Sequence, residues 1–268
     1  MRVKNKVVVV TGGGSGIGRE LVLQLLRRGA SVAAVDINDF ALKETVDLSG
    51  DRKDKISIHR VDVTDRGAVD ALPNQVLSKH GVVDGIINNA GIIQPFVKLK
   101  ELDYEAIERV MKVNFYGTLY MIKAFLPYLL ERPEAHITNI TSMGGFLPVP
   151  GQTVYGAAKA GVKLLTEGLY SELLGTSVRV TVVFPGAVRT NIAVNSGVVE
   201  SLPQAEVGSS IKTLEPEKAA KIILDGIEQD RYRVLVGSDA RFMDLVYRLN
   251  PHYATKLIYK QMKTLLPD

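Results

Sequence analysis

"VVVVTGGGSGIGRELVLQLLRRGA", residues 7–30, sets a run of β-branched apolar residues against a cluster of glycines and then a segment of helical period. The valines read as a buried strand and the Leu/Val spacing after Gly18 as a helix, which places the glycines in the turn between them. Gly12, Gly16 and Gly18 permit a tight turn and a close approach of backbone to a pyrophosphate. The helix start beyond Ser15 then offers unpaired N–H groups and the positive end of a dipole. The spacing is G-x-x-x-G-x-G, so the G-x-G-x-x-G fingerprint does not fit. Gly18 is followed by Arg19 and Glu20, which excludes an ATP-type Walker loop. A glycine-rich turn with no ligand is the alternative.

The rhythm of this first unit continues along the chain. Lys6–Val10, Ser31–Val35, Ile56–Val61, Val83–Ile87, Ala135–Ile140, Val178–Phe184 and Val234–Val236 read as strands. Helical patterns fall near 17–28, 39–48, 65–80, 101–131, 153–174 and 216–229. Strands without polar alternation, separated by helices, indicate a parallel sheet covered on both faces. Right-handed crossovers then give a doubly wound α/β fold of the Rossmann type, with about seven strands. No repeat, low-complexity tract or linker splits the chain, so residues 1–268 are expected to form one domain.

Asp36 ends the second expected strand, 18 residues after Gly18. A carboxylate there accepts hydrogen bonds from adenosine ribose hydroxyls and repels a 2′-phosphate. Ile37 follows it and Ser15 leaves the glycine loop without a cation, so NAD is favoured over NADP. A helix cap is the plainer role for Asp36.

A second stretch, "SMGGFLPVPGQTVYGAAKAG" at 142–161, puts Tyr155 and Lys159 one helical turn apart, with Ser142 thirteen residues upstream of the tyrosine. Chance supplies about one Tyr-x-x-x-Lys pair in such a chain, and Tyr259 with Lys263 is another. Context separates them: Tyr155 begins a helix beyond the fifth strand, where such folds bind ligands, whereas Tyr259 lies beyond the last strand.

These motifs together closely resemble the classical short-chain dehydrogenase/reductase family over residues 5 to 237. Thr11-Gly12-x-x-x-Gly16-x-Gly18 matches its nucleotide loop, and Asp62-Val63 its adenine-contacting pair. Asn88-Asn89-Ala90-Gly91 matches its fourth-strand motif, and Pro185-Gly186-x-Val188-x-Thr190 the segment that holds the nicotinamide carboxamide. Asn114, Ser142, Tyr155 and Lys159 match its catalytic tetrad in order and spacing. The resemblance implies that Ser15, Ile17, Tyr155 and Lys159 also contact the cofactor. It further implies that Lys159 holds the nicotinamide ribose and that Asn114 supports a water leading to solvent.

The chemistry of those residue types agrees. Reducing a ketone requires hydride on carbon and a proton on oxygen, and oxidising an alcohol is the reverse. A phenol near its ordinary pKa of about 10 is a poor base at neutral pH, and the Lys159 charge is expected to lower it. Ser142 donates to the substrate oxygen as charge develops, the nicotinamide carrying the hydride. Plainer roles are a turn cap for Ser142 and a bend in the long helix for Asn114.

Composition narrows the classes. With 46% apolar and 23% charged residues the chain is of ordinary globular type, and with no cysteine it forms no thiolate site, which suits a cytoplasmic protein. The net charge of +4 is spread without a basic stripe, so nucleic acid is not an expected partner. The histidines at 59, 80, 136 and 252 form no metal-ligand spacing, and no G-x-S-x-G elbow marks a hydrolase. No metal is expected.

Met143, Phe146, Leu147, Val149 and Val154 suggest an apolar substrate wall, hence a medium-sized hydrophobic alcohol or carbonyl compound. The polar segment 190–214 reads as a substrate lid. The tail 239–268 reads as two short helices meeting at Pro251. Phe242, Leu245, Val246 and Leu249 share one face, and Leu257, Ile258, Met262 and Leu265 another. Packing on the body or a partner subunit is preferred to a membrane surface, because residues 239–268 hold five Lys/Arg against three Asp. The family resemblance implies a homodimer or homotetramer. The leading expectation is an NAD(H)-dependent oxidoreductase; a 3-oxoacyl thioester reductase using NADPH and a non-catalytic nucleotide sensor are the alternatives.

Overall fold

Valine-rich runs hydrogen-bond into one seven-stranded sheet in the computed structural model, which describes residues 1–198, 213–263 and 266. The strands are β1 (Val7–Thr11), β2 (Ser31–Asp36), β3 (Ile56–Arg60), β4 (Gly85–Asn88), β5 (Ala135–Ile140), β6 (Val178–Pro185) and β7 (Arg233–Val236). Their order is β3-β2-β1-β4-β5-β6-β7, and every neighbouring pair is parallel. Such pairs need crossovers, and helices supply them: α1 (Gly16–Arg27), α2 (Asp39–Leu48), α3 (Arg66–His80), α4 (Tyr104–Met111), α5 (Thr118–Leu130), α6 (Thr153–Glu172) and α8 (Pro216–Glu228). Between β6 and α8 lies the short α7 (Ile192–Asn195), and α9 (Ser238–Leu249) and α10 (Pro251–Met262) form the tail.

The absence of polar alternation has its cause in the two layers. Val8 and Val10 of β1 face a core made with Leu21 and Leu25 of α1 and Ile223 and Leu224 of α8. Val7 and Val9 face the opposite core, with Val69 and Leu72 of α3 and Met121 and Phe125 of α5. Both sides of β1 are therefore apolar, as expected of a strand in a sheet buried on both faces.

One expected element is broken. The helix anticipated over 101–131 runs as α4, then a π turn over Lys112–Gly117, then α5. Asn114 sits in that turn and bonds the backbone of Ile92 with both ends of its amide. Gly117 passes so close to Val63 that an added Cβ would stand 2.8 Å from Cγ2. The extra residue of a π turn lets the helix meet both neighbours, and such turns recur at functional sites.

Of the segment 190–214, residues 199–212 lie outside the described part, as does Leu265 of the tail. The two ends of that segment meet: the Leu214 N–H donates to the Ala187 carbonyl (2.8 Å) and the Arg189 N–H to the Leu214 carbonyl (2.9 Å). In the tail, Pro251 opens α10, and the Asn250 side chain caps that helix by accepting from the Tyr253 N–H at 2.9 Å.

Candidate active site

The chain leaves β1 toward β2 on one side, while β4 lies on the other, so the strand order reverses at their C-terminal ends. Open parallel sheets form a crevice at such a point. Here it is a cavity of about 750 Å³. Every residue expected to contact a nucleotide lines it except Gly18, and so do Ser142, Tyr155 and Lys159.

Gly18 serves packing instead. A Cβ there would overlap the Gly12 carbonyl, so glycine lets α1 start against β1. Ser15, the residue before α1, makes no side-chain bond to the helix amides, and its hydroxyl instead accepts from the Asn195 amide at 2.9 Å. The α1 N-terminus thus keeps its N–H groups for a ligand. Thr11 ties β1 to β4, its hydroxyl accepting from the Asn89 and Ala90 N–H groups at 3.0 Å each. Asn88 is buried and donates to Asn139 (2.8 Å), a sheet contact. Asp62 accepts from the N–H and hydroxyl of Thr64 (2.8 Å each), fixing the turn after β3.

Asp36 accepts from the Gly14 N–H and the Asn38 N–H, both at 3.0 Å. It does not cap α2; Asn38 does, accepting from the Ala41 N–H at 3.1 Å. The Asp36 carboxylate is instead bound to the glycine loop and lines the cavity.

Three elements deliver the residues expected to react. Ser142 follows β5, its hydroxyl accepting from the Gly144 N–H at 3.0 Å, so it caps a 3₁₀ turn while lining the cavity. Tyr155 and Lys159 come from the first two turns of α6, with the Lys159 Nζ 6.0 Å from the tyrosine ring centre. Asn114 stands behind them, fully buried: a Cβ on Gly91 would meet its Oδ1 at 2.8 Å and the Lys159 Nζ at 3.1 Å. Glycine at 91 is what lets β4's end pass between the amide and the ammonium.

The electrostatics depart from expectation. Burial pushes the Tyr155 phenol up from its ordinary value, and the neighbouring Ser142 hydroxyl pulls it only partly back. The group that lowers it here is the Ser142 hydroxyl and not the Lys159 ammonium, whose Nζ stands 6.0 Å from the ring centre and donates to the Ile140 carbonyl at 3.0 Å. Burial brings Lys159 itself down to about 8. In this arrangement the phenol is held protonated and the lysine is the group nearer to neutrality.

Two residues invisible to the sequence reading position this helix. Gln94 is fully buried, and its Oε1 accepts from the N–H groups of Val154 (2.9 Å) and Tyr155 (3.0 Å), capping α6 from a distant loop. Its amide donates to the Gly151 carbonyl (3.0 Å), and Gln152 donates back to the Gln94 carbonyl (2.8 Å). A Gln94→Leu change leaves those α6 donors unpaired, at about 1–3 kcal/mol for each buried group. We expect kcat to fall about tenfold with KM for nucleotide unchanged, and Gln94→Glu, which keeps the acceptor, to recover part of it. Equal loss in both variants would deny the cap its positioning role.

The expected substrate wall is displaced. Met143, Phe146 and Leu147 pack against Met243, Ala254 and Ile258 of the tail, whereas Ile92, Ile93 and Ile192 line the cavity. After β6, Gly186 passes so close to Asp239 that no Cβ fits, and the Asp239 carboxylate accepts from the Ala187 N–H at 2.7 Å. α7 then lies across the cavity, joined to the glycine loop through Asn195 and to the loop after β4 through Ser196, which accepts from the Ile93 N–H at 2.9 Å. Among the described residues no cluster of three metal-ligating side chains occurs.

Comparison with known proteins places this geometry. Residues 6–198 match the short chain dehydrogenase family. The SadH protein of Mycobacterium tuberculosis is 36% identical over 252 residues, 92% of this chain and 91% of its own. A short chain dehydrogenase/reductase of Burkholderia phymatum, solved in complex with NAD, superposes with a TM-score of 0.82 at 26% identity, covering 93% of this chain and 96% of that one. A Burkholderia cenocepacia short chain dehydrogenase in complex with NADP gives 0.80 at 25% identity, over 96% and 99%.

Proposed function

We propose, from the premise that this chain belongs to the short-chain dehydrogenase family, that it is an NAD(H)-dependent oxidoreductase. It interconverts a secondary alcohol and a ketone of medium size and apolar character. The observation that carries this reading is the convergence of Ser142, Tyr155 and Lys159 on one cavity with Asp36 and the glycine loop.

The residues present fit a dinucleotide. The uncapped α1 N-terminus and the Gly12–Gly16 turn suit the pyrophosphate, and Asp36 suits ribose hydroxyls. Asp62 and Val63 suit the adenine and Pro185, Gly186, Val188 and Thr190 the nicotinamide carboxamide, and Asn89, Ala90 and Gly91 line the same cavity. When bound, the nicotinamide supplies hydride exchange at carbon. The chain's own part is proton transfer and orientation. Ser142 donates a hydrogen bond to the substrate oxygen, and Tyr155 passes a proton to it in reduction or takes one in oxidation. Lys159 holds positive charge behind the phenol, and Asn114 holds the loop of Ile92 and the π turn together. Ile92, Ile93 and Ile192 favour an apolar substrate body.

Cofactor choice is the first test. Titrating with NADH and NADPH separately, followed by nicotinamide fluorescence, should give the tighter binding with NADH. Asp36→Asn removes the charge facing a 2′-phosphate; since like charges in contact cost several kcal/mol, the preference should move at least about tenfold toward NADPH. Tighter NADPH binding by the parent chain would overturn the assignment and bring reduction of a 3-oxoacyl thioester forward.

A further inference from the structure

The tail packs on the body with one side only. α9 buries Ala240, Met243 and Asp244, and α10 buries Ala254 and Ile258, closing over Leu147 beside Met143 and Phe146. Of the apolar stripe that the sequence marks on α9, Val246 packs inward and the other three residues point the other way. Phe242, Leu245 and Leu249 are 56%, 57% and 77% exposed, and Tyr253 and Tyr259 of α10 are 58% and 52% exposed.

Cations accompany these side chains, and carboxylates do not. Arg241, Arg248, Lys256, Lys260 and Lys263 are all exposed. Asp239 is turned inward onto the Ala187 N–H, and Asp244 is buried between Arg233 (3.0 Å) and Arg248 (3.1 Å). Among the described residues of the tail, the outward surface therefore presents cations, aromatic rings and aliphatic side chains with no free carboxylate.

We propose that this surface docks on an anionic bilayer, with α9 and α10 lying in the plane of the interface. Phe242, Leu245 and Leu249 enter the headgroup boundary, the tyrosines sit at headgroup level, and the Arg and Lys heads meet lipid phosphates and carboxylates. No membrane crossing is involved: no helix among the described residues is long and apolar enough to span one. A second copy of the chain fits this face less well. A two-fold contact sets the patch against itself, bringing cation to cation with no free carboxylate between them among the described residues. The inner side of the same helices rests on Met143 and Phe146, next to Ser142, so docking brings the candidate site toward lipid-dissolved alcohols or ketones. That consequence rests on the function proposed above; the docking does not.

The test is co-sedimentation of the full chain with vesicles of phosphatidylcholine alone and vesicles of phosphatidylcholine mixed with phosphatidylserine. We expect binding to the mixed vesicles only, reversed by high salt. It should weaken at least about tenfold in the triple variant Phe242→Ser, Leu245→Ser, Leu249→Ser and in the double variant Lys256→Glu, Lys260→Glu. An unchanged unfolding midpoint and NADH titration establish that each variant keeps its fold and nucleotide site. No binding to mixed vesicles, equal binding to neutral ones, or undiminished binding by both variants overturns the proposal. So does a triple variant that loses oligomeric mass in gel filtration while the parent ignores vesicles, which would give the face to a second copy. Retention of the parent by an acidic protein without vesicle binding would give it to a protein partner.

Discussion

Replacing Tyr155 by phenylalanine is expected to abolish turnover while leaving the fold and nucleotide binding in place. The change removes one oxygen and keeps the ring, beside which Gly144 leaves room: a Cβ there would stand 3.4 Å from the ring edge. Acid–base catalysis by a positioned group contributes about 10²–10⁴-fold, and the hydrogen bond from Ser142 to the substrate loses its partner on the reacting oxygen. The loss should appear in kcat, with the NADH titration unchanged. The direction of the phenol's shift adds a pH signature. Burial holds Tyr155 protonated, so carbonyl reduction has its acid ready throughout the neutral range. Alcohol oxidation needs the phenolate and should climb as pH rises toward the raised value. Turnover that survives the substitution with every competent substrate would remove Tyr155 from the chemistry.

Gly18→Ala is expected to be nearly as damaging by a different route. The added methyl overlaps the Gly12 carbonyl, which is backbone, and crowds the Asn89 side-chain amide, which is held by its bond to the Thr11 carbonyl at 3.0 Å. α1 must then lift from β1, which opens the glycine turn and misaligns the amides proposed to bind a pyrophosphate. Forced overpacking costs about 1–3 kcal/mol, and NADH affinity should fall together with the urea midpoint. Gly168→Ala is the control: it lies on the exposed face of α6 with nothing within 4 Å of a Cβ. Relief of glycine's backbone freedom should stabilise the chain there by about 0.5–1 kcal/mol. If Gly18→Ala behaves like Gly168→Ala, close packing is not why glycine stands at 18.

These two glycines also show what a sequence can reveal. The strands were legible because the central ones are covered on both faces and read as Val/Ile/Ala-rich stretches, displaced at their ends by only a residue or two. The glycine loop and the Ser142–Tyr155–Lys159 spacing were legible because local geometry demands those residue types. Gln94 and Gln152 were not: their bonds join a loop to α6 across 58 residues of chain, and nothing near Gln94 marks it as a cap. A bend at Asn114 was legible as its plainer role, but its form as a π turn was not, because Asn114 acts on Ile92, 22 residues away. The orientation of α9 was hidden for another reason. Its stripe of Phe242, Leu245 and Leu249 is the more apolar, yet the small Ala240 permits closer approach and Asp244 finds Arg233 beneath it, so the other side faces inward.

The Lys159 ammonium, buried beneath the cavity, has a consequence for the whole chain. Its value of about 8 in the fold lies below the ordinary 10.5, so between those limits the unfolded chain holds a proton that the folded chain has released. Resistance to urea should therefore increase with alkalinity there, by about 1.4 kcal/mol per pH unit from this group. Below pH 8 both states carry the charge, and the fold bears the full cost of keeping it from water. Lys159→Met should lack that slope when unfolding is followed from pH 8 to 10, short of the tyrosine's own titration. A slope identical in both proteins would trace it to other groups. At neutral pH, then, the native state is less resistant to unfolding than its packing alone would make it, and the deficit sits at the site of the proposed chemistry.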